Sequence, residues 1–441
     1  MGFKVFKNTV LFFVFIVISC ASKTKNDISS NDEILKHTST TLSTGVQNDS
    51  SIIVGANQTE RYLPLLKRKR IGVVANQTSV IFKDELKITL DPPSSLSGQH
   101  ESFETSFIQR THIVDSLLAL NINIKKVFSP EHGFRGKADA GELVKDGKDT
   151  KTGLTIHSLH GKHKKPTKKQ LSDIDIMVFD IQDVGVRFYT YISTLHYVME
   201  ACAEQNIPLL ILDRPNPNGN YIDGPTLEKE FSSFLGKHPI PLVHGMTIGE
   251  YADMINGQKW LKDGITCDIQ IITLKNYTHA STYSLAIRPS PNLPNDQAIK
   301  LYPSLGLFEG TNINAGRGTE FQFQRYGAPF LDSRHYQFTY SPKPNFGSKY
   351  PKHKGKICYG NDLSNVNVER GFTLKYVIDA YNNSLDKTKF FNTENFSKHA
   401  GTAKLQQQIE AGKTEKEIKK TWEKDLKGFD KIREHYLIYD R

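Results

Sequence analysis

The segment Ile174-Asp175-Ile176-Met177-Val178-Phe179-Asp180 is a nearly continuous apolar run that ends in a carboxylate. Similar runs lie at residues 71–75, 126–128 and 208–212, and polar side chains follow each of them. Short runs of this kind are typical of strands that are buried on both faces of a parallel sheet. Between these runs, residues 111–120 and 190–205 repeat their apolar side chains at helical spacing. The alternation predicts an α/β fold with a Rossmann-like, doubly wound parallel sheet.

The chain has 441 residues, of which 38% are hydrophobic, and it can therefore bury one full core or two. We predict that residues 51–240 form a Rossmann-like catalytic domain and that a smaller C-terminal α+β domain, residues 241–441, closes the cleft. The second half has long Pro- and Gly-rich stretches and ends in an amphipathic helix predicted at residues 414–429. Residues 84–110 interrupt the first strand–helix unit and predict an inserted surface loop.

Residues 1–20 have the order of features found in an export signal. A basic start precedes an apolar run at residues 10–18, which is shorter than the ~20 residues needed to cross a bilayer. The run ends at Ser19 and Cys20 and predicts a lipoprotein signal peptide with lipidation of Cys20; the alternative is a plain cleaved signal with an incidental cysteine. The polar residues 21–50 predict a flexible tether. We therefore expect a lipoprotein of the bacterial cell envelope that is anchored in a membrane and faces the periplasm or the exterior.

Composition argues against several classes of function. Apart from Cys20, the cysteines are Cys202, Cys267 and Cys358, an odd and widely spaced set that predicts neither a disulfide framework nor a zinc site. We expect no cofactor and no metal. The formal charge of +10 comes largely from lysine clusters with little interleaved aromatic, so a nucleic-acid partner is unsupported. These lysines form either a solvated face or a surface that attracts an anionic wall polymer.

Polar clusters follow the predicted strands at their carboxyl ends. Ligands bind at this edge in open α/β sheets, so we expect the four clusters to converge on one cleft. The candidate residues are Asn76 after the first strand, Glu131 and His132 after the second, Asp180, Gln182 and Asp183 after the third, and Asp213, Arg214 and Asn216 after the fourth.

Glu131 is the most informative of these positions. It lies in Ser129-Pro130-Glu131-His132-Gly133-Phe134-Arg135-Gly136, where a proline stiffens the chain and glycines allow the backbone to approach a ligand closely. A partly desolvated carboxyl at this place would suit a general acid. The alternatives are a solvated Glu131 that pairs with Arg135, and a His132 that packs instead of orienting Glu131.

A second set of candidates follows the third strand. Asp180 and Asp183 offer a second carboxylate. Arg187 offers a fork for an anionic group, and Tyr189 offers a ring for a sugar face. Alternatively, Asp180 caps the following turn, or the two aspartates hold Mg²⁺, although a dedicated metal site usually has more ligands. Sugar chemistry is the favoured interpretation.

Later loops add three candidates. His244 precedes a predicted helix start at which Thr247 and Glu250 have capping-box spacing, and capping explains Glu250 without a catalytic role. Asn292 and Arg317 lie in stretches where proline and glycine give stiff and permissive backbone. Such loops either line a cleft or form irregular surface.

Several of these motifs together resemble the exo-β-N-acetylmuramidase family called NamZ, formerly the uncharacterised family DUF1343. The motifs are Ser129-Pro130-Glu131-His132-Gly133, Phe179-Asp180-Ile181-Gln182-Asp183-Val184-Gly185, Leu212-Asp213-Arg214-Pro215-Asn216-Pro217, His244-Gly245-Met246-Thr247 and Gly316-Arg317-Gly318-Thr319. The resemblance implies a Rossmann-like domain, a C-terminal domain and a cleft between them, with release of N-acetylmuramic acid from the non-reducing ends of cell-wall disaccharides. It also implies that Glu131 is the best catalytic candidate. Residues 84–110 and 320–323 depart from the family pattern, which bears on the preferred substrate length.

The residues and the resemblance together predict an exo-acting β-N-acetylmuramidase that acts on peptidoglycan fragments. Glu131 would protonate the glycosidic oxygen, while Asp180 or Asp183 would activate water or stabilise the oxocarbenium-like transition state. Retaining, inverting and substrate-assisted courses all stay open. The lactyl carboxylate of N-acetylmuramic acid calls for a cation, and Arg187, Arg214 and Arg317 are the candidates.

The other side chains expected to bind substrate are Asn76, Gln182, Tyr189, Asp213, Asn216, His244 and Asn292. Two other classes of function fit an envelope protein, namely a non-catalytic cell-wall-binding lipoprotein and an amidase or esterase. The lack of a Gly-x-Ser-x-Gly elbow and of an evident zinc set in the sequence argues against the amidase or esterase.

Overall fold

The structure, a computed structural model, describes residues 51–90, 103–136, 146–368 and 371–441. The predicted signal peptide, the predicted lipidation of Cys20 and the predicted tether fall outside these residues. The main sheet and the cavities described below belong to one compact unit, residues 45–85 and 108–441. No helix in the described ranges is long and apolar enough to span a membrane.

The main sheet has the strand order of a Rossmann fold. The strands are β1 (Ile71–Ala75), β2 (Val80–Leu90), β3 (Phe103–His112), β4 (Ile124–Ser129), β5 (Gly147–Lys148), β6 (Thr155–Ser158), β7 (Ile176–Asp180), β8 (Leu209–Leu212), β9 (Ile269–Ile272), β10 (Arg325–Ala328), β11 (Phe338–Tyr340) and β12 (Cys358–Asp362). The main sheet runs β5-β6-β4-β1-β7-β8-β9, and its strands are parallel except for β5 at the edge. Counted along the chain, the parallel strands have the order 3-2-1-4-5-6, with the reversal between β1 and β7.

Both faces of this sheet are covered. Val74, Phe128 and Phe179 enter one apolar core, while Val73 and Val178 enter the other, and all five side chains are fully buried. Successive side chains of a strand point to opposite faces. The central strands therefore read as nearly continuous apolar runs, since both sets of alternate positions are buried.

Helices cover the sheet and build most of the second half. They are α1 (Thr59–Leu66), α2 (Ile113–Ala119), α3 (Lys168–Leu171), α4 (Tyr191–Glu204), α5 (Ile248–Gly257), α6 (Asp296–Leu305), α7 (Lys375–Asn382), α8 (Thr393–Ala400), α9 (Lys404–Glu410), α10 (Glu415–Lys420) and α11 (Glu423–Glu434), with a 3₁₀ helix at Gly306–Gly310. The predicted capping box at α5 is confirmed, because Thr247 and Glu250 each accept the backbone N–H of the other.

The second half of the chain adds an antiparallel sheet of order β10-β12-β11. Apolar side chains of the second half, among them Phe308, Tyr326 and Phe396, pack in the same core as Val74 of the main sheet. Tyr439 packs in the core on the opposite face of the main sheet. The domain boundary at residues 240 and 241 stays a prediction, since apolar packing runs through both halves.

The predicted fold class and the four predicted strands are confirmed. Strands β6 and β9 have weaker apolar patterns, because most of their residues are only partly buried; β9 lies at one edge of the sheet and β6 lies next to the edge strand β5. The single helix predicted at residues 414–429 is wrong. The chain breaks between α10 and α11 at Trp422, whose indole Nε1 donates to Asp223 Oδ1 at 3.2 Å. The loop predicted at residues 84–110 is also wrong in part, since β2 and β3 form a two-stranded sheet there.

Candidate active site

Glu131 lies just beyond β4, in a tight turn. Gly133 N donates to Pro130 O at 3.1 Å, and His132 and Gly133 have φ values of 70° and 77°. Left-handed backbone suits glycine but is unfavourable for histidine, so packing around the buried His132 must hold the turn. The turn directs Glu131 toward the start of α4, where Thr190 Oγ1 donates to Glu131 Oε2 at 2.9 Å.

His160 approaches the same carboxylate from the neighbouring strand end. It follows β6, and its Nδ1 lies 4.0 Å from Glu131 Oε2. The side chain of Glu131 is 14% exposed. The carboxylate is therefore largely withdrawn from bulk solvent while part of its surface stays accessible to a ligand, as a group that exchanges protons with substrate requires.

Two cavities open in front of Glu131. The larger has a volume of about 410 Å³ and the smaller about 80 Å³, and Glu131 and Glu309 line both. The larger volume lies within the range of small-ligand sites. Polar side chains from the second half of the chain line the larger cavity, including Asn314, Arg317, Tyr350, Lys352, Asn395 and His399.

Glu309 is the second carboxylate of the larger cavity. It lies in the 3₁₀ helix Gly306–Gly310, and its side chain is 26% exposed. Arg317 Nη1 donates to Glu309 Oε1 at 2.9 Å, and His399 Nε2 lies 3.9 Å from Oε2. Burial alone would raise the pKa of Glu309, but His399 and the charges of Arg317 and Lys352 outweigh it and lower the pKa to about 2. Glu309 is therefore an anion at neutral and mildly acidic pH.

Lys352 fastens the turn that carries Glu309. Its ammonium donates to the backbone carbonyls of Phe308 at 2.9 Å and Glu309 at 3.2 Å, and it also contacts the carbonyl of Thr311. Carbonyls at the end of a short helix have no partner within the helix, so a cation satisfies them well. Glu309 is thus held through its backbone as well as through its side chain.

Four predicted site residues line the cavities beside Glu131. His132, Tyr189 and Asn292 line the smaller cavity, and Arg317 lines the larger. Asn76 lines neither cavity but contacts a residue that does. Its Nδ2 donates at 2.9 Å to the hydroxyl of Tyr191, which lines the smaller cavity. The structure therefore brings these predicted residues together with Glu131.

Asp180 and Arg214 pair with each other behind the cavities. Arg214 Nε and Nη2 donate to the two carboxylate oxygens of Asp180 at 2.6 and 3.0 Å, and Arg214 Nη2 also donates to Val80 O at 2.9 Å. Both side chains are buried, and neither lines either of the two cavities. This position does not suit Asp180 as a second catalytic carboxylate or Arg214 as the ligand of a lactyl group, because each already occupies the other.

Arg187 is likewise occupied within the protein. Its fully buried guanidinium donates to the backbone carbonyls of Pro225, Ile240, His399 and Ala400 at 2.6–3.2 Å. The last two belong to the C-terminal end of α8, where a cation is favourable. Arg187 therefore fixes α8 against the first half of the chain, and the predicted role as a fork for a substrate anion does not fit this position.

Asp213 is also bonded on several sides within the protein. It is fully buried and accepts hydrogen bonds from Thr247 Oγ1 at 2.7 Å, Gly249 N at 2.9 Å and the Tyr439 hydroxyl at 2.7 Å. Burial raises the pKa of Asp213 to about 6, although these hydrogen bonds oppose the increase. Asn216 is also buried and donates to a backbone carbonyl at 2.9 Å. The structure places both residues inside the protein, away from the two cavities.

Gln182, Asp183 and His244 complete the buried set. Gln182 Nε2 donates to Asp183 O at 2.8 Å and to Pro215 O, at 2.6 Å. Asp183 Oδ2 accepts from Gly185 N at 2.7 Å and lies 3.6 Å from His244 Nε2. These contacts hold the loops after β7 and β8 together, and none of the three residues lines the two cavities.

Several cavity residues are not singled out by the sequence. They are Thr190, Glu309, Lys352 and His399, together with His160, which lies near Glu131 without lining either cavity. His160 was within reach, because it follows a strand of the main sheet as Glu131 does. Glu309, Lys352 and His399 come from distant parts of the second half, and their local sequence does not distinguish them from surface residues.

Within the described residues, no group of three or more His, Cys, Asp or Glu side chains is arranged to hold a metal ion. The cysteines there, Cys202, Cys267 and Cys358, are buried and free.

Comparison with known proteins bears on this site. Residues 100–297 match the family model described as "Exo-beta-N-acetylmuramidase NamZ, N-terminal", and residues 300–439 match the corresponding C-terminal model. The peptidoglycan β-N-acetylmuramidase NamZ of Bacillus subtilis is 37% identical, with 86% of this chain and 89% of that protein covered.

Two crystal structures of DUF1343 family proteins from Bacteroides fragilis share the fold. One is 42% identical, with a TM-score of 0.76 over 89% of this chain and 99% of the other. The second is 26% identical, with a TM-score of 0.71 over 89% of this chain and 100% of the other.

Proposed function

This chain belongs to the exo-β-N-acetylmuramidase NamZ family, and from that premise we propose that it removes terminal, non-reducing N-acetylmuramic acid from peptidoglycan fragments. The observation that carries the proposal is that two carboxylates, Glu131 and Glu309, line the same cavity of about 410 Å³. Most glycoside hydrolases use a pair of carboxylates that flank the scissile bond. The cavity supplies such a pair together with polar side chains for a sugar.

In the proposed mechanism Glu131 is the general acid, and it protonates the glycosidic oxygen as the bond breaks. The hydrogen bond from Thr190 holds the Glu131 carboxyl toward the cavity, and His160 Nδ1 lies 4.0 Å from the same oxygen. Glu309 has a pKa of about 2, carries no proton near neutral pH and cannot serve as the acid. It suits stabilisation of the positive charge of the oxocarbenium-like transition state or activation of water.

Glu309 takes the role of second catalytic carboxylate that the sequence predicts for Asp180 or Asp183. Asp180 is fully buried and paired with Arg214, and Asp183 is engaged by the backbone of Gly185. A carboxylate with almost no exposed surface cannot approach a transition state, and the side chains of Asp180 and Asp183 are only 0% and 6% exposed. Glu309 keeps about a quarter of its side chain exposed at the cavity.

The test of the function compares the wild type with Glu131→Gln on a chromogenic N-acetylmuramic acid glycoside. We expect release of the chromophore to fall by about 10²–10⁴-fold, the usual contribution of a positioned acid. Glutamine preserves size and can still accept from Thr190, so the melting temperature should stay within a few degrees of the wild type. No release by the wild-type protein, or release of peptide or acyl groups instead of sugar, would remove the proposal.

We further propose that Arg317 recognises the lactyl carboxylate that distinguishes N-acetylmuramic acid. Of the three arginines suggested by the sequence, Arg317 lines the cavity, whereas Arg187 and Arg214 are bonded inside the protein. Arg317→Ala should lower kcat/KM for muramic substrates by about ten- to a hundredfold and affect glucosamine analogues much less. The exposed Arg334 offers a matched control. Equal losses on both substrates would show that Arg317 only supports Glu309 and does not recognise the lactyl carboxylate.

We also propose that the protein is a lipoprotein of the cell envelope, anchored through Cys20 with residues 21–50 as tether. The support is the order of basic, apolar and small residues at positions 1–20. Cells grown with an alkyne-bearing fatty acid should label the wild type, and Cys20→Ala should lose both the label and membrane association. A labelled Cys20→Ala variant would contradict the assignment.

A further inference from the structure

An exposed aromatic ring stands at the edge of the larger cavity. Tyr350 is 90% exposed and lines that cavity, and Phe346 nearby is 55% exposed. Both belong to residues 343–356, which turn back at Asn345 and Ser348 through two mutual backbone hydrogen bonds of 3.1 Å. Soluble proteins usually cover large aromatic side chains, and rings exposed beside a cavity are a mark of ligand contact.

The backbone around this ring is fixed to the site itself. Asn292 Nδ2 and Arg317 Nη2 donate to Gly347 O at 2.8 and 3.4 Å. Lys352, two residues after Tyr350, donates to the carbonyl of Glu309. Ser348 and Pro351, on either side of the ring, are buried. Tyr350 is therefore presented from a rigid support and loses little conformational freedom when a ligand covers it.

The charge around Tyr350 indicates the kind of ligand. Residues 343–356 contain five lysines and no aspartate or glutamate. Lys343, Lys349, Lys354 and Lys356 are exposed. A basic surface beside a cavity raises the local concentration of anionic substrates, and muramic units and their peptides carry carboxylates.

We infer that the Tyr350 ring binds the sugar on the leaving-group side of the scissile bond, the N-acetylhexosamine next to the terminal N-acetylmuramic acid. This inference rests on the proposed function. The terminal sugar occupies the cavity that Glu131 and Glu309 line. The rest of the bound fragment must therefore extend across the edge of this cavity, where Tyr350 lies. A pyranose face stacks on an aromatic ring, and the phenol hydroxyl offers a polar contact to its substituents.

The test uses two substrates that differ in the leaving group. One is the disaccharide of N-acetylmuramic acid and N-acetylglucosamine, and the other is the methyl β-glycoside of N-acetylmuramic acid, whose leaving group has no ring. Tyr350→Ala should lower kcat/KM for the disaccharide by about three- to tenfold and leave the methyl glycoside within about twofold. Tyr350→Phe keeps the ring and should retain most of the activity on the disaccharide.

Other outcomes separate this inference from the function on which it rests. Equal changes on both substrates, or no change on the disaccharide, would overturn the role of Tyr350. If the wild type hydrolyses neither substrate, the proposed function fails, and ligand-observed NMR with a disaccharide of N-acetylglucosamine then decides about the ring. Saturation transfer that is lost in Tyr350→Ala and kept in Tyr350→Phe would support the binding surface, while equal transfer in all variants would overturn it.

Discussion

The molecule contains two clusters of charged side chains with nearly the same composition and different surroundings. The strand-end cluster consists of Asp180, Asp183, Asp213, Arg214 and His244, and the cavity cluster consists of Glu131, His160, Glu309, Arg317 and His399. In the strand-end cluster Arg214 occupies both oxygens of Asp180, and three donors outside this cluster surround Asp213. In the cavity cluster the two glutamates keep 14% and 26% of their side chains exposed.

The difference shows how charged residues with a structural role can be distinguished from charged residues with a functional role in this fold. Both clusters lie near strand ends and loops, and residue type does not distinguish them. What distinguishes them is exposure, since Asp180 and Asp183 are 0% and 6% exposed whereas Glu131 and Glu309 keep surface at a cavity. A buried pair that is fully bonded holds loops together, whereas a carboxylate with accessible surface can act on a ligand.

The largest effect expected from this comparison is on stability. Asp180→Asn should lower the free energy of unfolding by about 3–5 kcal/mol, because it leaves the buried Arg214 without its counter-charge. Glu131→Gln, the matched change in the cavity cluster, should cost less than about 1 kcal/mol. Urea unfolding of both variants measures the difference. If the Asp180→Asn variant is as stable as the wild type but no longer hydrolyses substrate, the structural role given to Asp180 is wrong and Asp180 is catalytic.

A somewhat smaller effect is expected on catalysis by the second glutamate. Glu309→Gln should lower kcat on the disaccharide by about 10²–10³-fold, equivalent to about 2.7–4 kcal/mol, because a preorganised anion facing the transition state is removed. Steady-state kinetics with purified protein measure it. Glu394→Gln, at an exposed pair with Lys398, is the control and should change nothing. A normal kcat in Glu309→Gln would exclude Glu309 from the chemistry.

The smallest effect is a pH dependence that has opposite sign in the two clusters. The pKa of Asp213 is raised from 3.8 to about 6, so the folded state holds a proton that the unfolded chain releases between these values. Its contribution to the free energy of unfolding should therefore fall by about 2 kcal/mol as pH rises from 4 to 6.

Glu309 behaves in the opposite way, since its pKa is lowered to about 2. Its stabilising contribution is present above pH 4.5 and is lost as pH falls toward 2. Urea unfolding of the wild type and Asp213→Asn at pH 4, 5, 6 and 7 isolates the first effect as a difference. A difference that does not vary with pH would show that Asp213 titrates normally.

The fold was largely predictable because burial on both faces of the sheet leaves continuous apolar runs such as residues 71–75. Strands β6 and β9 leave a weaker signal, since they are half-buried at or next to the edges of the sheet and half-buried strands carry polar residues. The site was predictable only in part. Glu131 lies at a strand end within a distinctive motif, but Asp180 looks equally functional in the sequence, and its partner Arg214 becomes evident only in three dimensions. Glu309 and His399 line the same cavity as Glu131 through tertiary packing that local sequence does not encode.

The packing around Asp213 in the first half of the chain depends on Tyr439, which is synthesised much later. Its hydroxyl donates to Asp213, 226 positions earlier, and accepts from Leu274 N at 2.9 Å. A polypeptide cut between the two halves would leave that aspartate short of a donor inside an apolar layer, and the amino-terminal piece should aggregate or be degraded. This hydrogen bond therefore forms late in synthesis, and a chaperone would meet Asp213 before its Tyr439 donor is present.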